Sequence, residues 1–134
     1  MKRKVLLVDD DVDILRGFAR TLRNQPYDVL TARCANDALQ ILKLGRVDLV
    51  VTDEFMPGMS GTGLASWIVE NIPDVVRIVL TGQPNIPTMM SAVNDGQVFR
   101  ILTKPCNDLD LVVAIAEGLE SISDSESEPQ EAVS

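Results

Sequence analysis

The sequence predicts an α/β fold: a doubly wound, five-stranded parallel sheet with five covering helices. Three observations predict it. Five short apolar runs alternate with segments striped at helical spacing. The first run, Val5-Leu-Leu-Val8, is wholly apolar and ends in acids, so it reads as a buried strand. Finally, the polar residues Asp9, Asp10, Asp53, Thr81 and Lys104 stand where four of those runs end, which is where such sheets bind ligands.

The elements follow in order. Val5 to Val8 is the first strand, closed by acids. Asp11 can then cap a helix that carries Ile14, Leu15, Phe18 and Leu22 on one face. Tyr27 to Thr31 is the second strand, and Ala35, Ala38, Leu39 and Leu42 stripe a helix that Gly45 stops. Val47 to Thr52 is an unbroken third strand, followed by a loop from Asp53 to Gly61. Leu64, Ala65, Ile68 and Ile72 stripe the third helix, which ends near Pro73. Val75 to Leu80 is the fourth strand, and Ile86, Met89, Met90 and Val93 mark the fourth helix. Val98 to Leu102 is the fifth strand, and Asn107 to about Ile122 the fifth helix.

The 134 residues fit one domain, with a boundary at 122. Residues 123–134, SDSESEPQEAVS, lack the apolar content to fold and read as a disordered acidic tail or linker stub. No apolar run approaches the roughly 18 residues of a membrane span, and the basic start precedes too short a run for a signal peptide. A cytoplasmic protein is expected. The net charge of −8 repels phosphate backbones, so nucleic-acid binding by this chain alone is not expected. Histidine is absent, which removes Ser-His-Asp and Cys-His catalysis and most zinc sites. Cys34 and Cys106 form no CxxC pair and read as reduced thiols.

Three carboxylates gathered on one rim, Asp9, Asp10 and Asp53, repel one another and call for a cation or a raised pKa. Their hard oxygens suit Mg²⁺. Lys104 offers a positive charge to a developing phosphate, and the Thr81 hydroxyl offers a hydrogen bond. Without a Ser-base or Cys-base pair, one carboxylate is left as nucleophile.

The segments VLLVDDD, DLVVTDEFMPGMSG, IVLTGQ and FRILTKP resemble the response-regulator receiver family of two-component signalling over residues 4–121. The resemblance implies a flavodoxin-like receiver fold with strand order 2-1-3-4-5. It implies Asp53 as the phosphoacceptor, Asp9 and Asp10 as Mg²⁺ ligands, and the backbone carbonyl of Phe55 as a further ligand. Thr81 matches the switch hydroxyl, and Lys104 the lysine that contacts the phosphoryl group. A cis Lys104–Pro105 bond is common in such domains. The implied partner is a sensor histidine kinase or a phosphotransfer protein. The implied activity is regulatory, limited to the domain's own phosphorylation and dephosphorylation. The stretch AVNDGQVFRILTKPC further resembles receivers joined to HD-type phosphodiesterase or transcriptional output domains.

The chain departs from the family pattern where many members read out phosphorylation. Many members carry an aromatic residue three before the lysine, and Ile101 stands there. The output path then falls to the last helix. Leu109, Val112, Val113 and Ala116 read as its core stripe. Leu111, Ile115, Gly118 and Ile122 read either as scattered surface apolars or as a seam for a partner, a second copy or an output domain. Three rival readings fit less well, one of them a receiver-like module that binds partners without phosphorylation, against which the acid cluster, Thr81 and Lys104 argue. An Asp-nucleophile phosphatase typically needs an acid at position 55, and a dinucleotide-binding domain needs a GxGxxG after the first strand.

Overall fold

A computed structural model describes residues 2–133, with side chains described for residues 2–122. The order is β1 (Arg3–Val8), α1 (Val12–Leu22), β2 (Tyr27–Ala32), α2 (Ala35–Leu44), β3 (Leu49–Asp53), α3 (Gly61–Asn71), β4 (Val76–Thr81), α4 (Pro87–Asn94), β5 (Arg100–Thr103) and α5 (Asp108–Val133). All strand pairs are parallel, in the order β2-β1-β3-β4-β5 that the resemblance implied. The expected tail at 123–134 lies outside the residues whose side chains are described.

Alternation along the buried strands sends successive residues to opposite faces. Val5, Leu7, Leu49, Val51, Ile78 and Leu80 pack toward α1 and α5, against Leu15, Leu22, Leu111 and Ile115. Leu6, Val8 and Val50 pack toward α2 and α3, against Ala38, Leu42, Leu64 and Ile68. A third cluster sets Val79 under Met89 and Ala92 of α4. Every residue of β3 is buried. Each fully buried Leu or Ile stabilises the fold by about 1.5–3 kcal/mol relative to exposure, so both faces hold the sheet rigid beneath its rim.

Local signals set the helix starts. Asp11 caps α1, its side chain accepting from the Asp13 and Ile14 N–H groups, as the sequence predicts. Asn107 caps α5 by accepting from the Asp110 N–H at 2.8 Å, and Ser60 caps α3 by accepting from the Gly63 N–H at 3.1 Å. These caps each contribute on the order of 1 kcal/mol.

The core stripe of α5 differs from the sequence expectation, since of Leu109, Val112, Val113 and Ala116 only Val112 packs on the core. Leu111 and Ile115 are fully buried in the core, while Leu109 is 70% and Val113 41% exposed. Ile122 is half-buried against the same core cluster. Leu111, Ile115 and Ile122 therefore form no seam for a partner or second copy. Close approach is the physical reason. A Cβ at Gly118 would lie 2.6 Å from Leu49 Cδ1 and 3.2 Å from Val76 Cγ1, so the Gly118 side of the helix faces the sheet. A smaller correction applies to α4, where Met89 and Ala92 are buried and Met90 and Val93 are exposed.

Candidate functional site

Strand register brings the polar residues onto one rim. Val8 pairs with Thr52, Asp53 with Leu80, and Thr81 with Thr103, so β1, β3, β4 and β5 end level with one another. Asp9 and Asp53 sit at or just past strand ends and are 3% and 5% exposed, whereas Asp10 is solvent-exposed. Lys104 reaches in from beyond β5. Its Nζ lies 2.9 Å from Asp53 Oδ1 and 3.7 Å from Asp9 Oδ2. The first contact is a hydrogen-bonded ion pair; the second is too long for a hydrogen bond.

Asp9 is used on one side only. Its Oδ1 accepts from the Asp11 N–H at 2.9 Å. Its buried Oδ2 has no hydrogen-bond partner among the described residues. Burial raises the Asp9 carboxyl above the usual range, against the pull of the Asp11 N–H, and the charges of Asp53 and Asp10 add to the rise. Burial acts to lower the Lys104 ammonium, but the hydrogen bond to Asp53 and the charges of Asp9 and Asp53 outweigh it and hold Lys104 above its ordinary value. Lys104 therefore stays protonated on this rim.

One carboxylate oxygen from each of Asp9, Asp10 and Asp53 lies within 4.8 Å of the others. Octahedral oxygens around a cation at about 2.1 Å stand about 3 to 4.2 Å apart. Small side-chain adjustments would bring the three into one shell, with water filling the rest. The unpartnered Asp9 Oδ2, in an all-oxygen donor set, is what a hard divalent cation requires. The residues present fit Mg²⁺.

Thr81 is fully buried at the end of β4. Its Oγ1 accepts from the Gln83 N–H at 3.0 Å, and its carbonyl accepts from the Lys104 N–H at 2.9 Å. The hydroxyl and the lysine thus share a backbone link. The Lys104–Pro105 peptide is cis, as the resemblance implied. Phe55, two residues past the end of β3, is 58% exposed. Ile101 is half-buried against the Val79, Met89 and Val98 cluster, and Phe99, outside β5, is 37% exposed. The structure thus brings Asp9, Asp10, Asp53 and Lys104 together, with Thr81 on the adjoining strand end.

One residue of the rim escapes sequence reasoning. Glu54, next to Asp53, is 6% exposed. Its Oε1 accepts from the Thr62 N–H at 2.7 Å and its Oε2 from the Thr62 hydroxyl at 3.0 Å. The available signal was a Glu eight residues before a Thr in the first turn of a helix, which satisfies an orphan N–H.

A parallel sheet whose carboxyl rim gathers acids, a hydroxyl and a lysine is the architecture of a regulatory phosphoacceptor. The family model for response regulator receiver domains matches residues 5–116, and the chain belongs to that family. The transcriptional regulatory protein GlrR of Escherichia coli K12 is 37% identical over 116 residues, 87% of this chain and 26% of GlrR. The nitrogen assimilation regulatory protein NtrX of Azorhizobium caulinodans is 32% identical over 124 residues, 91% of this chain and 27% of NtrX. The chain thus spans about a quarter of the length of these relatives. Among solved structures, the signal receiver domain of an HD domain-containing protein from Pseudomonas fluorescens superposes with a TM-score of 0.86 at 35% identity, covering 95% of this chain and 93% of that one. An adenylate cyclase structure from Rhodopirellula baltica superposes with a TM-score of 0.90 at 34% identity, covering 98% of both chains.

Proposed function

We propose that Asp53 accepts a phosphoryl group from a sensor histidine kinase or phosphotransfer protein, and that the acyl phosphate then shifts the domain toward a conformation read by a partner or output domain. The observation that carries this reading is the 2.9 Å contact of Lys104 with Asp53 beside the unpartnered Asp9 Oδ2. In the transfer, an Asp53 carboxylate oxygen attacks the phosphorus of a phosphohistidine. The P–O bond forms, the P–N bond breaks, and its electron pair returns to the imidazole.

Asp9, Asp10, Asp53 and the Phe55 carbonyl would hold Mg²⁺. When bound, it offsets the repulsion between the anionic carboxylates and the incoming phosphoryl oxygens. Lys104 then exchanges its contact with Asp53 for one with a phosphoryl oxygen, and the Thr81 hydroxyl turns from the Gln83 N–H toward another. Activity beyond the domain's own phosphorylation and dephosphorylation is not part of this reading.

Phosphorylation adds roughly −1.5 to −2 charges. A swing between two states from 1:99 to 99:1 needs about 5.5 kcal/mol of differential stabilisation, which new contacts at Thr81 and Lys104 would supply. The chain leaves Thr81 into α4 and Lys104 into α5. The exposed apolar residues Met90, Val93, Phe99, Leu109 and Val113 on and between those helices are the surface we assign to the partner. Among the described residues no helix is long and apolar enough to cross a membrane, and we place the domain in the cytoplasm.

The chemical test is the nature of the bond. Phosphorylation by a small phosphoramidate in Mg²⁺ should give a hydroxylamine-labile phosphate, and EDTA should prevent it. A hydroxylamine-resistant phosphate, or labelling indifferent to EDTA, would contradict the reading.

A further inference from the structure

Among the described residues, Glu54 is the one buried acid on the rim to which neither the resemblance nor the proposed chemistry gives a task. It sits where movement would matter most. Asp53, on its N-terminal side, carries the acceptor carboxylate, and Phe55, on its other side, carries the carbonyl proposed as a metal ligand. Every polar atom of Glu54 is engaged. Its N–H donates to the Leu80 carbonyl at 2.9 Å, and its carbonyl accepts from the Gly61 N–H at 3.0 Å. Its two carboxylate oxygens accept from the N–H and the hydroxyl of Thr62. Thr62 is held in turn, its hydroxyl 3.2 Å from the Ser60 hydroxyl. Gly61 completes the clamp, because a Cβ there would collide with the Asp53 carbonyl oxygen. The first turn of α3 is therefore fastened to both the backbone and the side chain of the residue next to the acceptor. An anionic side chain at a helix N-terminus is also favoured by the helix dipole, which steadies the fastening.

We propose that Glu54 is a positioning residue: its two-point latch onto Thr62 fixes the turn between β3 and α3, and so sets how tightly the rim binds a divalent cation. The inference rests on the assignment of Asp9, Asp10, Asp53 and the Phe55 carbonyl to the metal. Groups that orient metal ligands from behind typically change affinity by about 10- to 100-fold when removed. Geometry, rather than the extra negative charge, carries the effect. A Gln at 54 retains an acceptor for the Thr62 N–H and can donate to the Thr62 hydroxyl, whereas an Ala retains neither.

The test is a Mn²⁺ titration of the unphosphorylated protein, followed by the EPR signal of free ion, on wild type, Glu54→Ala, Glu54→Gln, Thr62→Val and Asp9→Asn. Expected are a Kd raised about 10-fold or more in Glu54→Ala, a smaller rise in Thr62→Val, and Glu54→Gln within about twofold of wild type. Thermal unfolding of the same proteins separates positioning from mere support. A Glu54→Ala variant with a lowered melting temperature and an unchanged Kd overturns the proposal. So does a Glu54→Gln as weak as Glu54→Ala, which would make charge the cause. If Glu54→Ala does not fold, Thr62→Val decides alone, and an unchanged Kd overturns the latch. A wild type that binds Mn²⁺ no better than Asp9→Asn would instead refute the metal assignment beneath it.

Discussion

Lys104 Nζ lies 2.9 Å from Asp53 Oδ1 and 3.7 Å from Asp9 Oδ2, so one ammonium from just past the end of β5 joins the ends of β1 and β3. Two consequences of opposite sign follow from removing it. Lys104→Met deletes a charge aimed at the incoming phosphoryl oxygens, and phosphorylation of Asp53 should slow by about 10²-fold or more. The same change removes a cation that competes for Asp9 and Asp53, so Mg²⁺ should bind at least as tightly as in wild type. Phosphorylation rates and Mg²⁺ calorimetry on one variant check both. Weaker Mg²⁺ binding would show that Lys104 organises the acids rather than competing for them.

The α5 helix gives a contrast between two neighbours. Ile115 is fully buried and Val113 is 41% exposed. Ile115→Ala should cost about 2–5 kcal/mol, whereas Val113→Asp should stay within about 0.5 kcal/mol. Urea unfolding of both variants measures this. A cost at Val113 equal to that at Ile115 would mean that the helix is rotated from the face described.

Tyr27 is 7% exposed, and its hydroxyl has no hydrogen-bond partner among the described residues. Burial pushes its pKa up to about 12 from 10.0. The folded state then holds the proton more tightly than the unfolded chain, so Tyr27 makes stability fall as pH rises from about 10 to about 12. Tyr27→Phe should be neutral or stabilising by about 1 kcal/mol at pH 8. It should gain further on wild type at pH 11. Urea midpoints at the two pH values give the comparison.

Asp48, at the opposite end of the sheet, is 5% exposed and accepts from the Lys4 N–H at 2.8 Å and from Arg46 Nε at 3.0 Å, with Arg3 at 3.3 Å. Burial alone would raise its carboxyl, but these donors outweigh it and hold it below the ordinary value of 3.8. A depressed carboxyl contributes stability above its unfolded pKa and loses it as pH falls through the folded one. Asp48→Asn should therefore cost about 1–3 kcal/mol at neutral pH, with the deficit narrowing below pH 3.8. Denaturation at pH 7 and pH 3 would show it.

Most of the rim was legible because strand ends are legible. Asp9, Asp53 and Thr81 stand at or just past the ends of buried runs and Lys104 just past β5, and parallel topology places such ends side by side. The facing of α5 was not, because both of its stripes are apolar and hydrophobic spacing cannot choose between them. The charges could have chosen. Asp110, Glu117 and Glu120 are exposed along with Val113, and Gly118 marks the opposite, closely packed side. Glu54 was hidden for another reason. A buried acid is explained by its partner, and Thr62 lies across a loop whose path only the fold reveals.

The central claim is that Asp53 is the phosphoacceptor. Intact-mass spectrometry after incubation with Mg²⁺ and a small phosphoryl donor, on wild type and Asp53→Asn, tests it most directly. One added phosphoryl group on wild type and none on Asp53→Asn is the predicted result. Equal labelling of both proteins, or none on either, would contradict it.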